Sequence, residues 1–344
     1  MAIRHALCFD DVLVIPQYSD ICSRKEVSLE TNLSPHYELD IPIISSPMDT
    51  VTESSMAAAM SHLGGLGIIH RYNSIAEQAQ LVSEAVGMTK RDHAPNVGFA
   101  VGVGEDAIDR AMACVSAGAN VICVDIAHGY HSLMRYTLET LRRTLGTSIH
   151  IMAGNVATAE AHQALSDWGA DSVRVGIGGG SICSTRVKTG HGMPTFQSVY
   201  DCAVNGGDAA IIADGGIRNS GDVVKSIAAG ADAVMIGSLL AGTTEAPGEV
   251  TTVDGEDVKM YRGMASKDAQ LQWRGHYSSV EGVTSHVKSS GHVENVVLDL
   301  TRGLKSGLSY SGCRKISEFH SKCDIIQQTA LGNTESGTHI LNRG

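Results

Sequence analysis

Short apolar runs recur along the chain, each followed by a stretch in which apolar residues stand three and four apart. The first spacing fits a strand buried on both faces and the second a helix with one buried stripe. Residues 41–47 read as a strand, 52–63 as a helix, 67–70 as a strand and 74–86 as a helix. The same order continues with strands at 97–103, 121–125, 149–153, 172–177, 210–213 and 233–237, and helices at 107–117, 132–145, 159–168, 196–203 and 220–229. Eight strands in strict alternation with helices predict an α/β protein whose parallel sheet closes into a (β/α)8 TIM barrel. Gly-Ala-Asn or Gly-Ala-Asp precedes three of these strands, at 118–120, 169–171 and 230–232, where a helix-ending glycine is a sufficient explanation.

The rest of the chain departs from this repeat. Residues 1–40 read as a lead-in and 87–95 as a short polar bridge. From 251 to 294 the pattern is polar and irregular, with a hairpin at 253–256 and, over 267–290, a flap with few large apolar residues, expected to be a mobile lid. A helix at 296–305 closes the fold, and the polar tail, 327–344, is expected to dock on a neighbouring subunit. All 344 residues then form one barrel domain, a length this fold accommodates with insertions.

A formal net charge of −11 argues against nucleic-acid or acidic-membrane partners, so an anionic substrate must be held by local donors. The eight cysteines, at 8, 22, 114, 123, 183, 202, 313 and 323, show no CxxC or metal-like spacing and read as reduced thiols of a cytoplasmic protein. The first residues lack the apolar core of a secretory signal, and no run of 18 apolar residues occurs. His128 and His131 form an HxxH without a third ligand and read as polar loop residues.

In such a barrel the residues just beyond the strand C-termini share one rim: Ser46, Asp125, Asn155, Cys183, Asp214 and Ser238. The turns after the last two strands, Asp214-Gly-Gly and Gly237-Ser238, stand where such barrels commonly hold phosphate. The loop Gly176-Ile-Gly-Gly-Gly-Ser-Ile-Cys-Ser-Thr-Arg186 places Cys183 beside glycines whose N–H groups can face an anion. A cysteine there is either a packing residue at a tight turn or a nucleophile. Met48 reads equally well as core, and Asp49 as a cap of the next helix.

The loop around Cys183 closely resembles the active-site loop of the IMP dehydrogenase and GMP reductase family. Further segments resemble family motifs in family order: Ser45-Ser-Pro-Met-Asp-Thr-Val-Thr-Glu53, Gly64-Gly-Leu-Gly-Ile-Ile-His70, Ala153-Gly-Asn-Val-Ala-Thr158, Ala213-Asp-Gly-Gly-Ile217, Gly237-Ser-Leu-Leu-Ala-Gly-Thr-Thr-Glu-Ala-Pro-Gly248 and Tyr261-Arg-Gly-Met-Ala-Ser266. The resemblance implies a barrel assembled as a homotetramer or octamer. It also implies that regulatory CBS domains, inserted at 87–95 in relatives, are missing. By the same resemblance Cys183 attacks C2 of a purine nucleoside monophosphate, GMP or IMP. Ser46, Met48, Ser181, Asp214, Gly215, Gly216, Gly237, Ser238, Tyr261, Gly263, Met264, Ala265 and Gly282 would bind that substrate. Asp125, Ile126, Ala127, Asn155, Ser306 and Tyr310 would bind NADPH or NAD. Gly178, Gly180 and Cys183, with Glu335, Ser336 and Gly337 from the tail, would hold a potassium ion.

The two activities of the family differ after the adduct forms. A dehydrogenase hydrolyses it with water activated by an adjacent Arg-Tyr pair on the flap, whereas here Arg274 and Tyr277 are separated. A reductase expels ammonia with the loop threonine and a glutamate, matched by Thr185 and Glu281. Ile126, where dehydrogenases usually carry a small hydroxyl residue, and the segment Arg186-Val-Lys-Thr-Gly190 also favour the reductase. Thr243-Thr-Glu-Ala-Pro-Gly248, Ser45-Ser-Pro47 and the tail near Glu335 look more like dehydrogenases. The residues nearest the chemistry favour GMP reductase, with IMP dehydrogenase second and a non-catalytic nucleotide-binding homologue third.

Overall fold

The computed structural model describes residues 3–89 and 95–337. The lead-in forms β1 (Val12–Val14) and a hairpin of β2 (Thr31–Ser34) and β3 (Tyr37–Leu39). Eight parallel strands follow: β4 (Ile43–Ser45), β5 (Leu66–Ile69), β6 (Val97–Val101), β7 (Val121–Asp125), β8 (His150–Val156), β9 (Ser172–Val175), β10 (Ala210–Asp214) and β11 (Ala233–Ile236). They close into a barrel, with β11 hydrogen-bonded back to β4. The outer layer is α1 (Ser54–His62), α2 (Ile75–Met88), α3 (Ala107–Ser116), α4 (Ser132–Leu145) and α5 (Ala159–Asp167), then α6 (Thr185–Thr189), α7 (Thr195–Asn205), α8 (Ser220–Ala228) and α9 (Ser238–Ala241). The α/β barrel expected from the alternation is the observed fold, and the bridge at 87–95 falls largely outside the described residues.

Parity along each strand decides which residues see the lumen. Ile44, Ile68, Ala100, Val121, Cys123, Met152, Ile212, Ala233 and Met235 fill the barrel's interior, while Ile43, Ile69, Phe99, Ile122, Val173 and Val234 pack under the helices. Counting by twos from Cys123 and Ile212 reaches Asp125 and Asp214 at the C-terminal mouth, and Arg174 shares that parity on β9.

The lead-in is more structured than expected. Leu33, Tyr37 and Leu39 of the hairpin join the lumen cluster and plug the N-terminal end of the barrel. Such short polar-apolar strands carry too few residues for a clear period.

After the barrel come β12 (Thr251–Val253), β13 (Glu256–Arg262), α10 (Lys267–Arg274), β14 (Thr284–Lys288), α11 (Val293–Tyr310), α12 (Ile316–Lys322), β15 (Ile325–Gln327) and α13 (Ala330–Glu335). The hairpin at 253–256 is present, with Val253 opposite Glu256. The flap is not an unpaired lid throughout, since β14 pairs antiparallel with β13 from Arg262↔Thr284 to Val258↔Lys288. That strand is exposed almost end to end, so no apolar alternation marked it. The helix expected at 296–305 is the longer α11, which starts earlier and runs on past 305.

Asp49 does not cap α1, which starts after Glu53. It accepts instead from the buried Arg262, whose Nε lies 3.0 Å away. The tail folds back on its own chain: β15 pairs with β1, and the Gln328 side chain donates to the Asp10 carbonyl at 2.8 Å.

Candidate active site

A cavity of about 360 Å³ opens at the C-terminal mouth of the barrel. The loop after β9 supplies Gly178, Gly180, Ser181, Ile182, Cys183 and Thr185 to its wall. Two glycines let this loop lie against the loop after β10. A Cβ on Gly176 (φ +150°) would meet the Asp214 carbonyl oxygen at 1.9 Å, and one on Gly215 (φ +94°) would meet the Gly180 nitrogen at 2.9 Å. Only residues without a side chain permit that approach.

Cys183 is exposed to the cavity, and its thiol donates to Thr185 Oγ1 at 3.2 Å. Thr185 in turn donates to Glu281 Oε2 at 2.8 Å. Glu281 arrives from the flap because the chain at 281–283 is zipped to the cysteine loop. The Ser184 N–H donates to the Glu281 carbonyl at 2.9 Å, and the Val283 N–H to the Ile182 carbonyl at 3.1 Å. Sulfur, hydroxyl and carboxylate therefore form one continuous chain of hydrogen bonds.

The same cavity is lined by Ser46, Met48, Met264 and Ala265, with Gly263 and Gly282 on the segments flanking the flap helix. Gly215, Gly216, Gly237 and Ser238 form the end beyond the last two barrel strands. Tyr261 closes that end. It is 5% exposed, and burial pushes its phenol up to about 12 against the opposing hydrogen bond with Ser181. A hydroxyl held protonated there is a hydrogen-bond donor at neutral pH.

The floor is an ion network. Arg174, 7% exposed, donates to Asp125 Oδ1 at 2.6 Å and to Asp214 Oδ2 at 2.8 Å. Asn155 adds a donor to Asp214 Oδ2 at 2.7 Å and another to the Gly176 carbonyl at 2.8 Å. One guanidinium thus holds two strand-end carboxylates that would otherwise repel inside the lumen, and the carboxylates keep it charged despite desolvation.

A family model described as "IMP dehydrogenase / GMP reductase domain" matches residues 6–339. The IMP dehydrogenase of Cryptosporidium parvum is 38% identical, over 98% of this chain and 96% of its own. The GMP reductase of Leishmania major is 32% identical, over 98% and 97%. Among solved structures, a cysteine-to-alanine variant of GMP reductase from Trypanosoma brucei, in complex with guanosine 5'-monophosphate, superposes with a TM-score of 0.91, at 33% identity and covering 98% of each chain. The chain belongs to the IMP dehydrogenase / GMP reductase family.

In this family member the three candidate catalytic residues and all thirteen candidate substrate residues line one cavity. Of the candidate cofactor residues, Asp125, Ile126, Ala127 and Asn155 line it as well, but Ser306 and Tyr310 do not. They lie on α11, outside the barrel, where the Tyr310 carbonyl accepts from the Gln17 N–H at 2.9 Å. The potassium candidates divide in the same way. Gly178, Gly180 and Cys183 share one turn, whose Gly180 carbonyl already accepts the Cys183 N–H at 3.1 Å. Glu335, Ser336 and Gly337 lie at the end of α13, with Ser336 bonded to Gln328 and Gly332. The two halves stand on different parts of the chain, the loop after β9 and the end of α13.

Arg71, Tyr72 and Arg174 line the cavity and were missed from the sequence. For Arg174 the signal was a lone charge inside the apolar run Ser172-Val-Arg-Val, since a strand buried on both faces tolerates a charge only when partners await it. Arg71 and Tyr72 directly follow the motif ending in His70, and nothing local marks them. His131 caps α4, its ring accepting from the Leu133 N–H at 3.1 Å, and among the described residues no cluster of His, Cys, Asp or Glu could hold a metal ion. Among those residues no helix is long and apolar enough to cross a membrane.

Proposed function

We propose that this protein is a GMP reductase, converting GMP to IMP and ammonia at the expense of NADPH. The observation that carries this reading is the Cys183–Thr185–Glu281 chain of hydrogen bonds, at 3.2 and 2.8 Å. The Cys183 sulfur bonds to C2 of the purine ring, and Thr185 with Glu281 moves a proton to the 2-amino group, which leaves as ammonia. A nicotinamide held along Asp125, Ile126, Ala127 and Asn155 would supply the hydride that replaces the amino group at C2, and Cys183 would then leave C2 as the restored thiol. Ser181, the Gly215-Gly216 and Gly237-Ser238 turns and Tyr261 hold phosphate, Asp214 faces the ribose, and Ser46, Met48, Met264 and Ala265 hold the base.

The wall of Ile126, Ala127, Arg71 and Tyr72, with Asp125 and Asn155 held in place by the floor network, suits the flat nicotinamide. Ser306 and Tyr310 would reach a dinucleotide only from a neighbouring subunit, which accords with a homotetramer or octamer. The potassium cage requires the same arrangement for Glu335, Ser336 and Gly337, and no step is assigned to the cation. With only 87–95 where relatives insert CBS domains, control through that domain is absent from this reading.

The second reading is an IMP dehydrogenase, favoured by the Thr243-Thr-Glu-Ala-Pro-Gly248 segment. Against it, the flap brings no water-activating pair to the cavity. Neither Arg274 nor Tyr277 lines it, and Tyr277 lies under Lys267, whose ammonium is 4.9 Å from the ring centroid. Mixing the protein with GMP and NADPH should give falling absorbance at the reduced-nicotinamide band, with ammonia released in equal amount. Rising absorbance with IMP and NAD, and none of that fall, would instead establish the dehydrogenase.

A further inference from the structure

Beside the substrate cavity lies a second one, of about 770 Å³, between the start of α2 and the flap helix α10. Tyr72 belongs to both walls. Toward the substrate cavity it stands with Arg71, Asp125, Ile126 and Ala127. On its other flank it stacks on Trp273, with ring centroids 5.7 Å apart and planes 16° from parallel. Trp273 is on α10, and the residue before it is also anchored: Gln272 Oε1 accepts from Arg262 at 2.7 Å, while Arg262 pairs with Asp49. The flap helix is thereby held at two consecutive residues, by Arg262 at the end of β13 and by Tyr72 after β5.

Ordinary packing explains a half-buried tryptophan on a helix when its ring meets the core. Trp273 meets a residue that lines the substrate cavity.

We propose that Trp273 is a positioning residue for the nicotinamide end of the cavity, acting through its stack on Tyr72. The proposal rests on the purine-nucleotide oxidoreductase reading and adds to it a residue that touches neither substrate. The stack sets where Tyr72 and Arg71 stand, and the purine and phosphate end is built from other segments. Loosening it therefore weakens dinucleotide use and leaves nucleotide binding in place.

The test uses the full chain. Trp273→Ala should raise the KM for NADPH by about five-fold or more while kcat and the Kd for GMP, measured by calorimetry without dinucleotide, stay within about twofold. Trp273→Phe keeps a flat ring and should restore the KM to within about twofold of the parent. The chain has two tryptophans, and Trp168 stacks on Tyr130 elsewhere. In a Trp168→Phe protein the remaining emission comes from Trp273 and should shift as NADP+ saturates the site. That measurement decides the matter if the alanine variant fails to fold. An unchanged KM in Trp273→Ala, equal losses of KM, kcat and GMP affinity in the Ala and Phe variants, or an emission indifferent to NADP+ would each overturn the proposal. Wild-type protein that turns over neither nucleotide pair would overturn the functional reading instead, and the emission titration would still report whether Trp273 senses a dinucleotide.

Discussion

Burial raises the thiols of Cys114, Cys123 and Cys202 to about 12, 11 and 12, which leaves them protonated and inert at neutral pH. Cys183 differs from them by position, standing exposed in the cavity with its sulfur on the Thr185 hydroxyl. Replacing Cys183 by Ala should lower turnover by at least about a thousand-fold while GMP still binds, because the adduct needs sulfur and the phosphate does not. Calorimetry with GMP beside a turnover assay checks both halves. Glu281→Gln keeps the hydrogen-bond geometry but removes the carboxylate, and on the proposed reading should cost about 10²–10³ in kcat with little change in GMP affinity. A variant at full rate would mean that the carboxylate only braces the loop. Cys183 stood out in the sequence because it sits in a motif, and Glu281 stood out only through the resemblance to the reductase. Arg174 was legible only as an oddity, a charge whose two partners lie 49 and 40 residues away.

At the scale of elements, the plug of the barrel sets a measurable pH dependence. His150, at the start of β8, lies under the hairpin tip, with its ring 4.9 Å from that of Tyr37 and Nε2 at 2.8 Å from Ser172 Oγ. Desolvation lowers its pKa from 6.5 to about 4, with Asp171 opposing and Arg142 reinforcing the shift. The native state therefore binds fewer protons than the unfolded chain at mildly acid pH. The stability tied to His150 is full above about pH 6.5 and declines as pH falls toward 4, by about 2 kcal/mol between pH 7 and 5. Thermal midpoints over that range should fall more steeply for the parent than for His150→Gln, and parallel curves would refute the assignment. The hairpin escaped sequence reading because three- and four-residue strands carry no resolvable period, and β14 escaped because solvent covers nearly all of it.

Across the whole molecule, the two ends of the chain are tied together through β1 and β15. Ending the chain at Asp324 removes that pairing and α13, and should lower the thermal midpoint by a few degrees. Turnover of the truncated protein should stay within about threefold if the tail serves only its own chain. A much larger loss, recovered by raising potassium, would place Glu335, Ser336 and Gly337 against the active loop of a neighbouring subunit.

The sequence by itself determined the barrel, because alternating strand and helix periods leave a parallel closed sheet as the arrangement that buries every apolar run. It also singled out Cys183 as the candidate nucleophile, because a glycine loop and its motif neighbours are local in the chain. Only the tertiary structure decided which strand residues face the lumen, since strands apolar on both faces hide their parity until the barrel closes. Closure gathers Asp125, Arg174 and Asp214 onto one floor, and the flap zipped to the cysteine loop brings Glu281 to Thr185 across 96 residues. The folded flap places Trp273 against Tyr72, a contact that nothing local in the chain could reveal.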